Sequence, residues 1–199
     1  YMMLSLQSQG CHNINLVSPT HVIPQILEAL EIAIESRLHI PLVYNSGGYD
    51  SLETLKLLDG IIDIYMPDMK YSDEQIAKEL SGVENYPEVN KAAVREMHRQ
   101  VGDLQIDKEG IAERGLLVRH LVLPDGLAGT KKAVDFLARE ISPHTYVNVM
   151  GQYHPCYQAF QISSLARRIS TREFQEAIEL AHQAGLRRLD RAHPLILSI

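Results

Sequence analysis

Short apolar runs of strand length alternate along the chain with longer amphipathic stretches. The runs predict five β-strands, at residues 13–17, 41–44, within 60–73, 116–123 and 146–150. Amphipathic spacing and helix-stopping glycines predict helices at residues 1–9, 23–37, 51–58, 87–101, 130–140 and 170–185. This alternation favours an α/β fold in which right-handed crossovers join parallel strands.

Three other regions receive no regular element at this level. Residues 72–80 are mostly polar, residues 103–115 have the composition of a loop or short excursion, and the tail after residue 185 is ambiguous. The short segment at residues 45–48 has the composition of a turn.

Polar side chains lie in or at the ends of all five predicted strands. They are Asn13, Asn15, Asn45, Asp68, Arg119, Asn148 and Gln152. Buried strands of an open sheet covered on both faces are instead nearly continuous apolar runs. A shared polar interior explains the difference, so we expect a barrel or partial barrel that holds a polar ligand at the C-terminal strand ends.

The stretch GIIDIYMPDMKYSD, at residues 60–73, contains a predicted buried strand. The chemically active side chains Asp68 and Lys70 lie near its C-terminal end. Strand alternation places Met66, Asp68 and Lys70 on one face. The other face takes Tyr65, Pro67 and Met69. An acid and a base on one face are costly in a packed core, so a polar cavity, a structural ion pair or a solvent-exposed strand end is expected there.

Arg119 and His120 occupy opposite faces of the strand at residues 116–123. An inward Arg119 requires an anion, and the candidates are Asp68 or the carboxylate of a ligand. His120 on the outer face is expected to be a packed histidine that hydrogen-bonds to a neighbouring helix.

The composition describes an ordinary globular chain, with a formal net charge of −6, 45% hydrophobic and 22% charged residues. We expect one domain over residues 1–199, and neither a nucleic-acid footprint nor a membrane-spanning run. Cys11 and Cys156 form no motif, and a reducing cytoplasm is the expected compartment. His21 and His154 follow strand ends, where they could serve as acid–base groups or metal ligands at the cavity mouth. No metal-ligand spacing occurs, so no protein metal site is predicted.

Five motifs occur in an order and spacing that resemble one family: QGCHNINLVSPTH, PLVYNSGGY, DIYMPDMKY, RGLLVRHLVLP and NVMGQYHP. The family is the radical SAM enzymes, in particular proteins related to pyruvate formate-lyase activating enzyme. The resemblance covers nearly the whole chain. It implies a partial (β/α)6 barrel and an oxidoreductase that reductively cleaves S-adenosylmethionine at a [4Fe-4S] cluster. The resulting 5′-deoxyadenosyl radical abstracts hydrogen, and a glycyl radical enzyme is a possible protein substrate.

The family's cluster-binding CxxxCxxC loop does not occur in these residues. The resemblance therefore implies that the first β/α unit is largely missing and that the chain holds the five C-terminal units. Cys11 and Cys156 stand at other positions, so we expect these 199 residues alone to be catalytically inert. An edge strand exposed by the missing unit would favour self-association.

Site residues follow from the same motifs. Ser18 to His21 stand where related enzymes have a Gly-Gly-Glu motif that meets the amino group of S-adenosylmethionine. The resemblance implies cofactor binding by Thr20, His21, Asn45, Ser46, Asp68, Lys70, Arg119, Gln152 and Tyr153. It identifies no catalytic side chain.

Two other functions remain open on the residues alone. One is a barrel lyase or aldolase in which Lys70 forms a Schiff base, Asp68 shuttles protons and Arg119 binds a carboxylate. The other is a non-catalytic binding module built on a truncated barrel.

Overall fold

A single mostly parallel sheet organises the chain, which is described over residues 1–190 by a computed structural model. Its strands are β1 Ile14–Val17, β2 Leu42–Ser46, β3 Ile64–Pro67, β4 Gln105–Ile106, β5 Ala112–Leu121, β6 Tyr146–Met150 and β7 Arg188–Leu189. The strand order is β1-β2-β3-β5-β6-β7, and every neighbouring pair along this path is parallel. Strand β4 pairs antiparallel with β5 beside this path.

The helices are α1 Met2–Ser8, α2 Ile23–Glu35, α3 Leu52–Leu57, α4 Glu74–Ser81, α5 Tyr86–Val101, α6 Thr130–Phe136 and α7 Thr171–Ala184. A π-helical turn, Leu137–Ile141, continues α6, and a 3-10 turn, Pro19–His21, follows β1. Local capping explains where several helices begin. Asp73 caps α4, and Ser170 with Glu173 forms a capping box at α7.

All the long helices pack against one face of the sheet, which we call the covered face. Consecutive parallel strands step in one direction across the sheet, and right-handed crossovers then place their helices on the same side. The main core accordingly joins α2, α3, α5, α6 and α7 to the fully buried strand residues Tyr44, Tyr65, Leu116 and Val118.

We call the opposite face the open face. Side chains cover it near the N-terminal ends of the strands, which we call its lower end. There a small cluster of Val43, Ile64 and Leu104 packs with half-buried Leu117 and Tyr146. Leu104 belongs to the segment that carries β4 across the N-terminal end of β5. The crossing is tight, because a Cβ on Gly115 would lie 2.5 Å from the Asp103 carbonyl oxygen.

The structure confirms the predicted α/β class and partial barrel. The largely parallel sheet does not close on itself, because β1 and β7 pair with one neighbour each among residues 1–190. One helical layer around a sequentially ordered sheet is the arrangement of a partial barrel. Within the same residues, no helix combines the length and apolar character needed to cross a membrane.

Several element predictions were wrong in detail. Six strands lie on the parallel path rather than five, because Arg188–Leu189 adds β7 to the ambiguous tail. Asn45 and Ser46 belong to β2 and not to a turn. The polar stretch at residues 72–80 contains most of α4, and residues 103–115 contain β4 and the start of β5. Residues 191–199 lie outside the described part of the chain.

Candidate functional site at the C-terminal strand ends

A row of polar side chains crosses the upper part of the open face at the ends of β2, β3 and β5. Asp68 directly follows β3 and lies beside Arg119 of β5. The Arg119 Nη2 atom lies 2.7 Å from Asp68 Oδ1 and donates a hydrogen bond to Asn45 Oδ1 at 2.7 Å. Lys70 forms a salt bridge with the other oxygen of the Asp68 carboxylate. Asp68 and Lys70 share a face as predicted, and Arg119 contacts Asp68, which was one of the two anions expected for it.

The side chains of this row do not satisfy all of one another's hydrogen-bond donors and acceptors. The Arg119 Nε atom is buried without an acceptor, and Asp68 Oδ1 lacks a well-aligned donor among residues 1–190. The short Arg119–Asp68 distance is therefore an electrostatic contact and not a directed hydrogen bond. A guanidinium binds carboxylates through two parallel N–H groups. The unused Nε–H is therefore a hydrogen-bond donor that a further anion could accept from.

The side chains of the row differ in solvent exposure, and this difference indicates which of them lie inside the face and which lie at its rim. The Asp68 and Arg119 side chains are 13% and 24% exposed, whereas the Lys70 side chain is 45% exposed. Asp68 and Arg119 therefore lie within the face, and Lys70 lies at its rim. A lysine used for Schiff-base chemistry is desolvated or placed beside another cation. Lys70 is not desolvated, since it is half exposed, and its charge is paired with the Asp68 carboxylate that lies between it and Arg119.

Two side chains of helix α5 form hydrogen bonds that connect the C-terminal ends of β2 and β3. The Asn90 amide, which is 1% exposed, donates to the carbonyl oxygens of Gly48 and Asp68, both at 2.9 Å. The Tyr86 hydroxyl donates to the Gly47 carbonyl at 3.0 Å and accepts from the Lys70 N–H at 3.0 Å. These bonds determine the separation between the two strand ends that carry Asn45 and Asp68.

Gly48 has to be a glycine at this point. Its φ angle is +73°, and a Cβ there would lie 2.2 Å from both the Asn90 Nδ2 atom and the Asp68 carbonyl oxygen. The close approach of the β2–α3 loop to the end of β3 therefore depends on the missing side chain.

The turn after β1 is tied to the same strand ends. Ser18 adopts a left-handed conformation, and its N–H donates to the Asn45 carbonyl at 2.8 Å. The Thr20 hydroxyl donates to Asp50 Oδ1 at 2.8 Å, and the Ser46 hydroxyl donates to Asp50 Oδ2 at 2.7 Å. Two of the predicted binding residues thus meet on one buried carboxylate.

Tyrosines beneath the site are held in their neutral form. Burial and the Asp50 charge raise the pKa of Tyr44, whose hydroxyl donates to Asp50 Oδ1 at 2.8 Å. Burial likewise raises the pKa of Tyr86. Both phenols are therefore structural hydrogen-bonding groups rather than acid–base groups.

His120 lies on the covered face, as predicted. One ring nitrogen lies 2.7 Å from the Met69 carbonyl oxygen, and the other lies 2.9 Å from the hydroxyl of Thr130 at the start of α6. Burial lowers the pKa of His120, which therefore stays neutral. With the Nδ1–H donating to Met69, the Nε2 atom accepts from Thr130.

The remaining predicted residues do not join the row. His21 is exposed, and Gln152 is exposed with its amide directed to the Met150 sulfur at 3.3 Å. The Tyr153 hydroxyl donates to the Leu165 carbonyl at 2.8 Å, so it braces the following loop. Gln152 and Tyr153 lie in the loop after β6, which ends at Met150, and β7 follows later in the chain.

The residues of this chain do not fit an iron–sulfur cluster. Cys11 and Cys156 are the two cysteines of the sequence, and such a cluster is held by more thiolates than two. Within residues 1–190, no group of three or more His, Cys, Asp and Glu side chains is placed to hold a metal ion. The row around Arg119 does fit an anionic organic ligand, because Arg119 Nε is buried and unpaired.

Asp50, Tyr86 and Asn90 were missed at the sequence level. Tyr86 and Asn90 act through contacts to residues that are distant in sequence, such as the bond from Asn90 to Gly48, and Asp50 binds the distant Thr20 as well as the nearby Tyr44 and Ser46. A weak local signal existed only for Asp50, which follows a Gly-Gly turn at the end of a strand.

A separate groove lies elsewhere in the described part of the chain. A cavity of about 560 Å³ opens between the beginnings of α6 and α7, and its walls include Val122, Thr130 and Leu180. None of the predicted site residues lines it. Its walls carry charges of both signs, from Asp125 and Glu173 to Lys132, so it has no single electrostatic preference.

Comparisons with known proteins agree with the fold. No protein-family profile matches the sequence. An uncharacterized protein of Methanocaldococcus jannaschii is 32% identical over 177 residues, which are 87% of this chain and 47% of that protein. The chain thus spans about half the length of this relative. A crystallised domain of a pyruvate-formate lyase-activating enzyme from Bacteroides vulgatus matches with a TM-score of 0.60 at 14% identity, covering 89% of this chain and 96% of that domain. This similarity shows that the two chains share a fold.

Proposed function

We propose that this chain is the S-adenosylmethionine-binding part of a radical SAM protein related to pyruvate formate-lyase activating enzyme. The carrying observation is the row of Asn45, Asp68 and Arg119 on the open face, with a buried Arg119 Nε–H left unpaired among residues 1–190. The fold shared with the domain of a pyruvate-formate lyase-activating enzyme supports the family.

In this proposal Arg119 binds the carboxylate of S-adenosylmethionine. Asn45 and Asp68 both contact the Nη2 atom of the guanidinium, so its remaining N–H groups are oriented before the ligand arrives. The Leu104 cluster closes the lower end of the face and directs a ligand toward the C-terminal strand ends. Lys70, at the rim, adds positive charge without being enclosed.

Radical chemistry requires a [4Fe-4S] cluster, which supplies the electron that cleaves S-adenosylmethionine. Its cysteine ligands have to come from residues outside these 199, since this chain carries only Cys11 and Cys156. The proposal therefore predicts a CxxxCxxC motif elsewhere in the full protein and no activity from these residues alone. A protein substrate such as a glycyl radical enzyme, and a cytoplasmic location, belong to the same proposal.

Nothing in the structure favours the Schiff-base alternative, because Lys70 is half exposed and bound to Asp68. A binding module without catalysis would use the same face and differ only in the absent cluster. The upstream coding sequence separates the two, since a binding module requires no cysteine motif.

Equilibrium dialysis of S-adenosylmethionine against the full protein tests the proposal. We expect Arg119→Met to weaken binding about tenfold or more, because a charge-assisted bidentate contact is lost. Arg139→Met is the matched control, because Arg139 is an exposed arginine of the π-helical turn whose nearest carboxylate is Asp135. Equal binding by wild type and Arg119→Met would contradict the assignment of the carboxylate to Arg119.

A further inference from the structure

The segment between β6 and α7 carries two large aromatic side chains that the rest of the described chain leaves uncovered. Tyr157 and Phe160 are 85% and 64% exposed. They stand three residues apart in the 3-10 turn Tyr157–Gln161, a spacing that places side chains on one side of such a turn. The backbone of Tyr157 is left-handed, with a φ of +51°, which is a strained conformation for a bulky residue. The two rings form one exposed apolar patch, which we call the aromatic tip.

The base of this segment is fixed by side-chain contacts. The Tyr153 hydroxyl donates to the carbonyl of Leu165, which is 7% exposed. Arg167 forms ion pairs with Asp125 at 2.7 Å and with Glu173 at 2.8 Å. A fixed base presents the aromatic tip in one place, so little conformational entropy is lost when another surface covers it.

The groove between α6 and α7 has an apolar interior and a polar rim. Its apolar walls include Val122, Ala177 and Leu180. Its rim carries Lys132 on the α6 side and Glu176 on the α7 side, and neither forms an ion pair among residues 1–190. An occupant of this groove therefore has to be apolar at its centre and uncharged or amphipathic at its edges.

The aromatic tip has this chemistry. Residues 151–166 contain no Asp, Glu, Lys or Arg, so the tip meets neither rim charge with a like charge. Gln158 and Gln161 are exposed in the same turn, and a side-chain amide has both an acceptor for Lys132 and a donor for Glu176. The tip does not occupy the groove of its own chain, since none of residues 151–166 lines that groove.

We infer that the aromatic tip of one copy of this chain seats in the groove between α6 and α7 of a second copy. Both features adjoin the start of α7, because Arg167 at the base of the tip binds Glu173, a residue that also lines the groove. Two copies can therefore exchange tips reciprocally about a twofold axis. This self-association differs from one through the edge strand β1, and it does not depend on the proposed binding of S-adenosylmethionine.

The buried area decides between a closed dimer and an open chain of copies. One aromatic side chain buries about 150–250 Å² when it is fully covered, so one tip contributes about 300 Å² and the groove about as much. A single contact of about 600 Å² is no larger than a typical crystal-packing contact, whereas two reciprocal contacts reach about 1,200 Å², the lower limit of specific interfaces. We therefore expect a symmetric dimer that exchanges with the monomer.

Sedimentation velocity of the full protein over a concentration series tests this inference. The tip variant combines Tyr157→Ser with Phe160→Ser and removes both rings from an exposed turn. The groove variant, Glu176→Trp, fills the groove from an exposed position of its rim. We expect wild type to dimerise and each variant to raise the dimer dissociation constant about tenfold or more, because each removes both contacts of a symmetric dimer.

Each variant has a matched control. Ile32→Ser with Leu57→Ser controls for the tip variant, because these side chains of α2 and α3 are 67% and 66% exposed and lie outside both surfaces. Glu179→Trp controls for the groove variant, since Glu179 is an exposed residue of the same helix that does not line the groove. Both controls should dimerise like wild type.

Two outcomes would overturn the inference. One is a monomer at every concentration, and the other is a dimer that neither the tip variant nor the groove variant weakens, which would place the contact on another surface such as the edge of β1. If Glu176→Trp fails to fold, the tip variant and its control still decide the question.

Discussion

The two faces of one sheet contrast sharply in this chain. On β5, Leu116 and Val118 point to the covered face and are fully buried, whereas the alternating residues Leu117 and Arg119 are partly exposed on the open face. The same alternation holds on β6, where Val147 is buried and its neighbours are half buried. Strand geometry therefore separates residues that stabilise the fold from residues that are available to a ligand.

This separation has an energetic basis. Burial of apolar surface against helices stabilises the covered face by roughly 25 cal/mol per Å². The open face keeps an arginine, a carboxylate and an amide that contact one another and retain some contact with solvent, which lowers their desolvation cost relative to a packed core. A polar residue inside a strand is thus tolerated where one face has no helical cover.

The largest predicted effect separates two adjacent leucines of β5. Leu116→Ala should lower the free energy of unfolding by about 2–5 kcal/mol, because a fully buried side chain leaves a cavity. Leu117→Ala, on the open face, should cost less than half as much. Urea denaturation of both variants provides the measurement. Equal losses would show that the open face is packed as tightly as the covered one.

A second pair tests the upper edge of the open face. Gly48→Ala should destabilise by about 2 kcal/mol or more, because its Cβ would meet Asn90 and the Asp68 carbonyl at 2.2 Å. Gly47→Ala should change stability by less than about 0.5 kcal/mol, since the nearest atom, Lys70 Cε, would lie 3.8 Å away. Thermal melts compare the two, and an unaffected Gly48→Ala protein would refute the close approach of these strand ends.

A third prediction concerns pH and the covered face. Burial lowers the pKa of His120 below 6.5, so below that pH the unfolded chain binds a proton that the folded chain excludes. Stability should therefore fall as pH decreases from about 7 to 5.5, by up to about 1.4 kcal/mol per pH unit from this residue.

The matched variant for this pH dependence is His120→Gln, which removes the titrating group. Urea denaturation at each pH should show a flatter profile for the variant than for wild type. Identical pH profiles for the two proteins would mean that His120 does not carry the effect.

A small predicted stability effect also belongs to Arg119. Arg119→Met should change the free energy of unfolding by less than about 1 kcal/mol, because the pair is partly solvated and Asp68 keeps Lys70 as a partner. A loss of about 3–5 kcal/mol, typical of a broken buried pair, would make Arg119 a structural residue instead. Chemical denaturation distinguishes the two outcomes.

The sequence predicted best where alternation was strong. Residues 146–150 form β6 as predicted, because Val147 and Val149 alternate with Asn148. The faces of Asp68 and His120 followed from the same rule. The start of β5 was not predicted, since Glu113 and Arg114 lack apolar alternation and their pairing depends on β4, a partner formed by the fold itself.

The residues of the candidate site also divide into those that the sequence could predict and those that it could not. Asp68, Lys70 and Arg119 could be grouped from strand faces alone. Asp50 and Asn90 could not, because their roles depend on contacts across several elements, such as the bond from Asn90 to the Asp68 carbonyl. Whether the grouped residues bind a cofactor is still a prediction.

Hydrogen–deuterium exchange of the full protein, with and without S-adenosylmethionine, tests the central claim most directly. The ligand should slow exchange at the C-terminal ends of β2, β3 and β5, near Asn45, Asp68 and Arg119, and leave the helices of the covered face unchanged. Protection confined to the groove between α6 and α7, or no protection at all, would contradict the assignment of the ligand to the open face.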